Sequence, residues 1–168
     1  MTARHLARQI SFQFLYFIDP EIKTLTPNTL SQEVETFFNH FQVSTFSREF
    51  AKRLICGVIA YCAELDLQIE QRSKNWKIQR MSRVDRSLLR LALFELLYGD
   101  DTPKHVVIDE AIELAKEFGS EESASFVNGI LDASAASLQP SLEPSIEASS
   151  LTPPPSTEQT LGTSHADL

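Results

Sequence analysis

Residues 80–119, RMSRVDRSLLRLALFELLYGDDTPKHVVIDEAIELAKEFG, decide the fold. Ser82 stands three residues before Asp85, the spacing of a capping box, in which a hydroxyl and a carboxylate close the first turn of a helix. From there Val84, Leu88, Leu91, Ala92, Leu96 and Leu97 recur at helical spacing. After Ser87 the segment is apolar nearly all round, which predicts a central, deeply buried helix. Gly99-Asp100-Asp101 ends it, and Thr102-Pro103 is placed to cap the next. That sixth helix carries Val106, Ile108, Ala111, Ile112 and Ala115 and stops at Gly119, a residue type favoured just past a helix end.

Four helices are predicted upstream and one downstream. The first runs over 3–18 on Leu6, Ala7, Ile10, Phe14, Phe17 and Ile18, and Asp19-Pro20 stops it. The second follows Thr26-Pro27 and carries Leu30, Val34, Phe37 and Phe38. Ser47 is the expected N-cap of a third, with Phe50, Leu54, Val58 and Tyr61 on one face, and a fourth over 63–75 uses Leu65, Ile69 and Trp76. Ser120, followed by Glu121 and Glu122, is the expected cap of the seventh. The β signal is weak: no strict alternation runs beyond a few residues, and Gly is scarce at 5. The expected class is all-α, with about seven helices.

Composition sets the outer limits. With 42% hydrophobic residues and 11 Phe, the chain has material for one sizeable core. No apolar run approaches the ~18 residues of a membrane span, and residues 1–20 lack the form of a secretory signal. Cys56 and Cys62 are too few and too close for a disulfide framework, so a reducing, cytoplasmic setting is expected. Composition shifts near Ala136. Residues 137–168 hold five of the eight prolines, seven Ser, four Thr and four acids, with no Lys or Arg. Such a stretch buries too little apolar area to offset its ordering entropy, so 1–136 is read as the folded domain and 137–168 as a disordered acidic tail. The net charge is -8, and removing the tail leaves -4. Within the body, residues 72–90 gather Arg72, Lys74, Lys77, Arg80, Arg83, Arg86 and Arg90 against Asp85 alone. Local patches, rather than net charge, decide binding.

Catalytic and metal-binding patterns are missing. There is no GxxxxGK[ST] and no GxGxxG, and His5, His40, His105 and His165 fall in different elements. Neither cysteine has a base nearby in sequence, and both read as structural. Glu110 and Glu113 share a face of an acidic helix that also holds Asp109 and Glu117, which reads as a solvated surface. No enzyme and no metal or cofactor site is expected.

Two places could bind. In the first helix Arg4 and Arg8 lie four apart and His5 and Gln9 repeat the spacing, so all four share a face, continued by Phe12 and Tyr16. Guanidinium groups beside the open N–H groups of a helix start suit an anion, and exposed aromatics suit stacking or a protein contact. In the fifth helix Arg83, Arg86 and Arg90 either pair with the acids of the sixth or form a phosphate or partner surface.

Three blocks are more specific: ARHLARQISFQFLYFID (3–19), the stretch quoted at the outset (80–119), and SEESASFVNGILD (120–132). Together they resemble the NusB family of transcription antitermination proteins over about residues 3–134. The resemblance implies two small packed helical bundles. It implies binding to the boxA element of ribosomal RNA leaders, as a heterodimer with the small-subunit ribosomal protein NusE, within an RNA polymerase antitermination complex. By position it implies RNA contacts at Arg4, His5 and Arg8 and at Glu122, Ser125 and Phe126, and a NusE-facing side at Tyr16, Asp85 and Arg86. Leu6 and Ser125 stand where basic residues occur in the family, so weak RNA binding without the partner is expected. The acidic tail departs from the family pattern. Two other readings use the same residues: a protein-only adaptor or homodimer paired through the first helix, and a factor for ribosomal RNA maturation or ribosome assembly.

Overall fold

The structure, a computed structural model, describes residues 2–99 and 102–138, so the expected tail lies outside the described residues except for its first two positions. The order is α1 (Ala3–Ile18), α2 (Pro27–His40), α3 (Thr45–Ala60), α4 (Cys62–Arg72), α5 (Arg83–Tyr98), α6 (Lys104–Phe118) and α7 (Ser123–Ser137), with 3₁₀ turns at Asp19–Glu21 and Ile78–Arg80. Among the described residues there is no strand. All seven expected helices are present. Helices α1–α3 form one bundle and α4–α7 the other, and α5 packs against helices of both.

The reading of α5 as the central helix holds: residues 87–96 are all buried, including Arg90 and Glu95. Each large apolar side chain withdrawn there, such as Leu88, Leu89 and Leu93, contributes about 1.5–3 kcal/mol. Helices α1 and α3 meet along a seam of small residues. Ala7, Ser11 and Ala51 are fully buried, and the Ser11 hydroxyl donates to the Ala7 carbonyl at 2.8 Å. Helix α5 packs the Phe94 ring directly onto α3 at Gly57. A Cβ at that position would lie 1.9 Å from Cζ of Phe94, so only glycine fits. Helix α2 is held by Val34 and Phe38, by the edge contact of Phe14 with Phe37, and by Arg48, which donates to the Asn39 side-chain oxygen at 3.0 Å and to the Phe38 carbonyl at 3.4 Å.

Several helix ends differ from expectation. The third helix starts earlier, capped by Ser44 rather than Ser47, whose hydroxyl is buried and donates to the Ala3 carbonyl of α1. The fourth ends at Arg72, because Lys74 takes a left-handed conformation (φ 58°) that breaks the helix before Asn75. Thr102 does not cap α6, since its hydroxyl accepts from Arg4 at 3.2 Å and faces α1 instead. Gly119 ends α6 in an extended rather than a left-handed conformation. Its tightness has another source, since a Cβ there would meet Ser123 at 2.5 Å. Ser120 does not cap α7 either; its N–H donates to the Ser123 hydroxyl at 2.9 Å. Ser82 does cap α5 through the Asp85 N–H at 3.0 Å, but the Asp85 carboxylate does not complete the box, and its Oδ1 is buried without a hydrogen-bond partner.

Candidate nucleic-acid and partner interface

The polar face of α1 is packed rather than solvated. Arg8 is 4% exposed and makes a two-pronged pair with the equally buried Glu95 of α5, Nε donating at 2.9 Å and a terminal nitrogen at 2.6 Å. Burial opposes the charge on Arg8, but the hydrogen bond and field of Glu95, with Glu110 beyond, outweigh it and raise the guanidinium pKa. His5 bonds Glu110 through Nδ1 at 2.7 Å. Glu110 is therefore no solvated carboxylate but a link between α1 and α6. Gln9 reaches Glu117, and Phe12, expected on an exposed aromatic face, is 3% exposed against Phe118 at 5.1 Å between ring centres. The guanidinium groups of Arg4, Arg8 and Arg53 all lie 5.2–5.3 Å from the centre of the Phe50 ring, a cation–π cluster at the start of α1.

A second charged cluster closes the other end of α1. Arg90 donates to Asp66 of α4 at 2.6 and 3.0 Å and to Asp19 at 2.8 Å, and Arg86 pairs with Asp19 through both carboxylate oxygens. The pairing with acids of α6 expected for these arginines does not occur. Their partners come from the end of α1 and from α4, not from α6, and both are already paired. Asp19 is desolvated, which would raise its pKa, yet Arg86 and Arg90 together pull it below the ordinary carboxylate value. This cluster joins the two bundles.

The expected site residues divide into two neighbourhoods. Arg4, His5 and Arg8 lie at the start of α1 beside the start of α6. Glu122, Ser125 and Phe126 lie beyond the far end of α6, a 15-residue helix about 22 Å long. At that far end Glu122 and Phe126 share a groove with Asp85, Ser82, Arg80 and Trp76. Tyr16 is 40% exposed, with Arg83 over its ring at 5.1 Å. The structure thus brings Asp85, expected to face a protein partner, together with residues expected to face RNA, and separates both from Arg4 and His5. The residues that composition and motif reasoning missed are the acids Asp19, Asp66 and Glu95, whose roles depend on distant helices, and Trp76. Expected on the apolar side of the fourth helix, Trp76 lies beyond its end and is 54% exposed. Its place between Lys74 and Lys77 was a legible signal of a binding surface.

Two all-helical bundles clasped by buried ion pairs, with aromatic and basic grooves at one end, define a helical module for binding macromolecules. The comparisons with known proteins place it more narrowly. The model of the NusB family matches residues 5–136. The transcription antitermination protein NusB of Geotalea uraniireducens is 46% identical over 147 residues, covering 85% of this chain and all of the relative. Among solved structures, NusB of T. maritima superposes with a TM-score of 0.72 at 37% identity, over 81% of this chain and 92% of that one. NusB in a crystal structure of the antitermination factors NusB and NusE with double-stranded RNA superposes with a TM-score of 0.71 at 26% identity, over 82% and 98%. The chain belongs to the NusB family. Among the described residues no helix is long and apolar enough to cross a membrane, and no group of His, Cys, Asp or Glu could hold a metal ion.

Proposed function

We propose that this protein is a transcription antitermination factor of the cytoplasm, a binding protein rather than an enzyme, which engages boxA-type ribosomal leader RNA together with NusE in an RNA polymerase antitermination complex. The observation that carries the reading is the match of the whole described body to a NusB solved with NusE and RNA. The RNA contacts are Arg4 and His5 at one end and Glu122, Ser125 and Phe126 at the other, and the NusE side is Tyr16, Asp85 and Arg86. Arg8 acts behind Arg4 and His5: paired with Glu95, it holds the start of α1 rather than touching phosphate. Because a carboxylate already balances Arg8 and another engages the His5 ring, the isolated protein binds RNA weakly and NusE supplies much of the remaining affinity.

The test is fluorescence anisotropy of labelled boxA RNA, with and without NusE, for the natural protein and the Arg4→Ala/His5→Ala variant. The expected result is binding that NusE strengthens and that the double variant weakens. Unchanged affinity in the variant removes the α1 site, and tight binding without NusE removes the dependence on the partner.

A further inference from the structure

The α4–α5 connection displays a large aromatic on a rigid support. Ser73 donates through its hydroxyl to the Trp76 carbonyl at 2.6 Å and accepts the Trp76 N–H at its own carbonyl. Two residues on, the Glu70 carboxylate accepts the Ile78 N–H at 2.9 Å. The backbone around Trp76 is therefore anchored on both sides, while its side chain stays 54% exposed. The indole meets Phe126 of α7 edge-on, with ring centres 6.3 Å apart. These two rings form a ridge between two grooves. One, about 480 Å³, is lined by Arg72, Ser73, Lys74, Asn75, Ser125 and Gly129, among others. The other, about 270 Å³, holds Arg80, Asp85 and Glu122. Lys74 and Arg80, exposed on either side of the ridge, have no ion-pair partner among the described residues, whereas Lys77 pairs with Glu70 at 3.5 Å.

We propose that the exposed face of Trp76 is a stacking platform for an unpaired RNA base, with the phosphates on either side of that base held by Lys74 and Arg80. The inference deepens the RNA-binding reading and rests on it, adding residues that reading does not assign. A rigidly presented indole loses little conformational freedom when a base covers it, and two unpaired cations on either side match the charge repeat of a single strand. The acids present, Glu122 and Asp85, lie in the second groove only, so the strand crosses the ridge from Arg80 and continues along the acid-free groove beside Lys74 and Arg72.

Trp76 is the single tryptophan of the chain, so it reports its own environment. Unlabelled single-stranded boxA RNA is titrated into the full chain while indole emission is read, and anisotropy of the same RNA carrying a label measures binding independently. The expected result is saturable quenching with the same midpoint as the anisotropy. Trp76→Ala weakens binding roughly 5- to 100-fold, the range that stacking of one base supports, and Trp76→Phe restores most of it. Gly129→Leu provides a second variant. A Cβ at Gly129 meets nothing within 4 Å, so the fold tolerates it while the groove fills, and binding weakens. RNA that binds by anisotropy without quenching Trp76, or that binds Trp76→Ala as tightly as the natural protein, overturns the platform. Quenching by NusE alone with none by RNA assigns the ridge to the protein partner and also overturns it. Absence of anisotropy change, with or without NusE, defeats the RNA-binding reading itself and this inference with it.

Discussion

Replacing Arg8 by Ala separates a structural arginine from a phosphate-binding one. The guanidinium lies at 4% exposure with two hydrogen bonds to a carboxylate that is itself 3% exposed. Removing it leaves the Glu95 charge buried without its partner. Breaking a buried pair in this way costs about 3–5 kcal/mol, against about 0–1 kcal/mol for an exposed pair. A domain of this kind has a total stability of roughly 5–15 kcal/mol, so the variant loses a large share of it. With a urea dependence of about 2 kcal/mol per molar, the unfolding midpoint at pH 7 falls by about 1.5–2.5 M. Arg4→Ala, which removes a partly exposed group bonded to Thr102 at 3.2 Å, shifts the midpoint by less than about 0.5 M. The double replacement Arg8→Met/Glu95→Leu recovers most of the loss, because no uncompensated charge remains. Urea unfolding followed by circular dichroism measures all of these. A shift for Arg8→Ala no larger than that for Arg4→Ala would refute the reasoning and return Arg8 to the RNA-facing surface.

Gly57 and Gly129 lie in helix interiors yet should respond in opposite directions. Gly57→Ala drives a methyl into the Phe94 ring and lowers stability by about 2–3 kcal/mol, whereas Gly129→Ala raises it by about 0.5–1 kcal/mol, both read as shifts in urea midpoint. Asp19 has a depressed pKa in the folded state, so its contribution is fully present above its ordinary value of 3.8 and is lost as pH falls toward the lower folded value. Asp19→Asn should accordingly lower stability at pH 7 and flatten its dependence on pH below about 4; an unchanged acid limb in thermal unfolding would count against the cluster. Burial pushes the thiols of Cys56 and Cys62 up. A thiol reagent at pH 7 should therefore modify the half-buried Cys56 slowly and Cys62 only on unfolding, and fast modification of Cys62 in the folded protein would contradict its packing.

Local signals in the sequence determined the seven helices and the burial of α5. Apolar residues at helical spacing depend only on near neighbours, and so do the caps at Thr26 and Ser82, so both survive into the fold. At two of the caps that failed, a distant group had taken the residue: Thr102 answers Arg4, and Ser47 answers the first turn of α1. Charged faces were legible only as faces. Helical spacing put Arg4, His5, Arg8 and Gln9 together, but whether they meet water, phosphate or carboxylate depends on which helix packs opposite. The family's motif blocks named the same residues without revealing that Arg8 is buried. Tertiary structure alone decided that Arg86 and Arg90 clasp Asp19 and Asp66, that Gly57 admits Phe94, and that Trp76 meets Phe126 of α7. Each of these joins residues roughly 20 to 70 positions apart or lies past a helix end, where periodicity along one helix carries no information about what faces it.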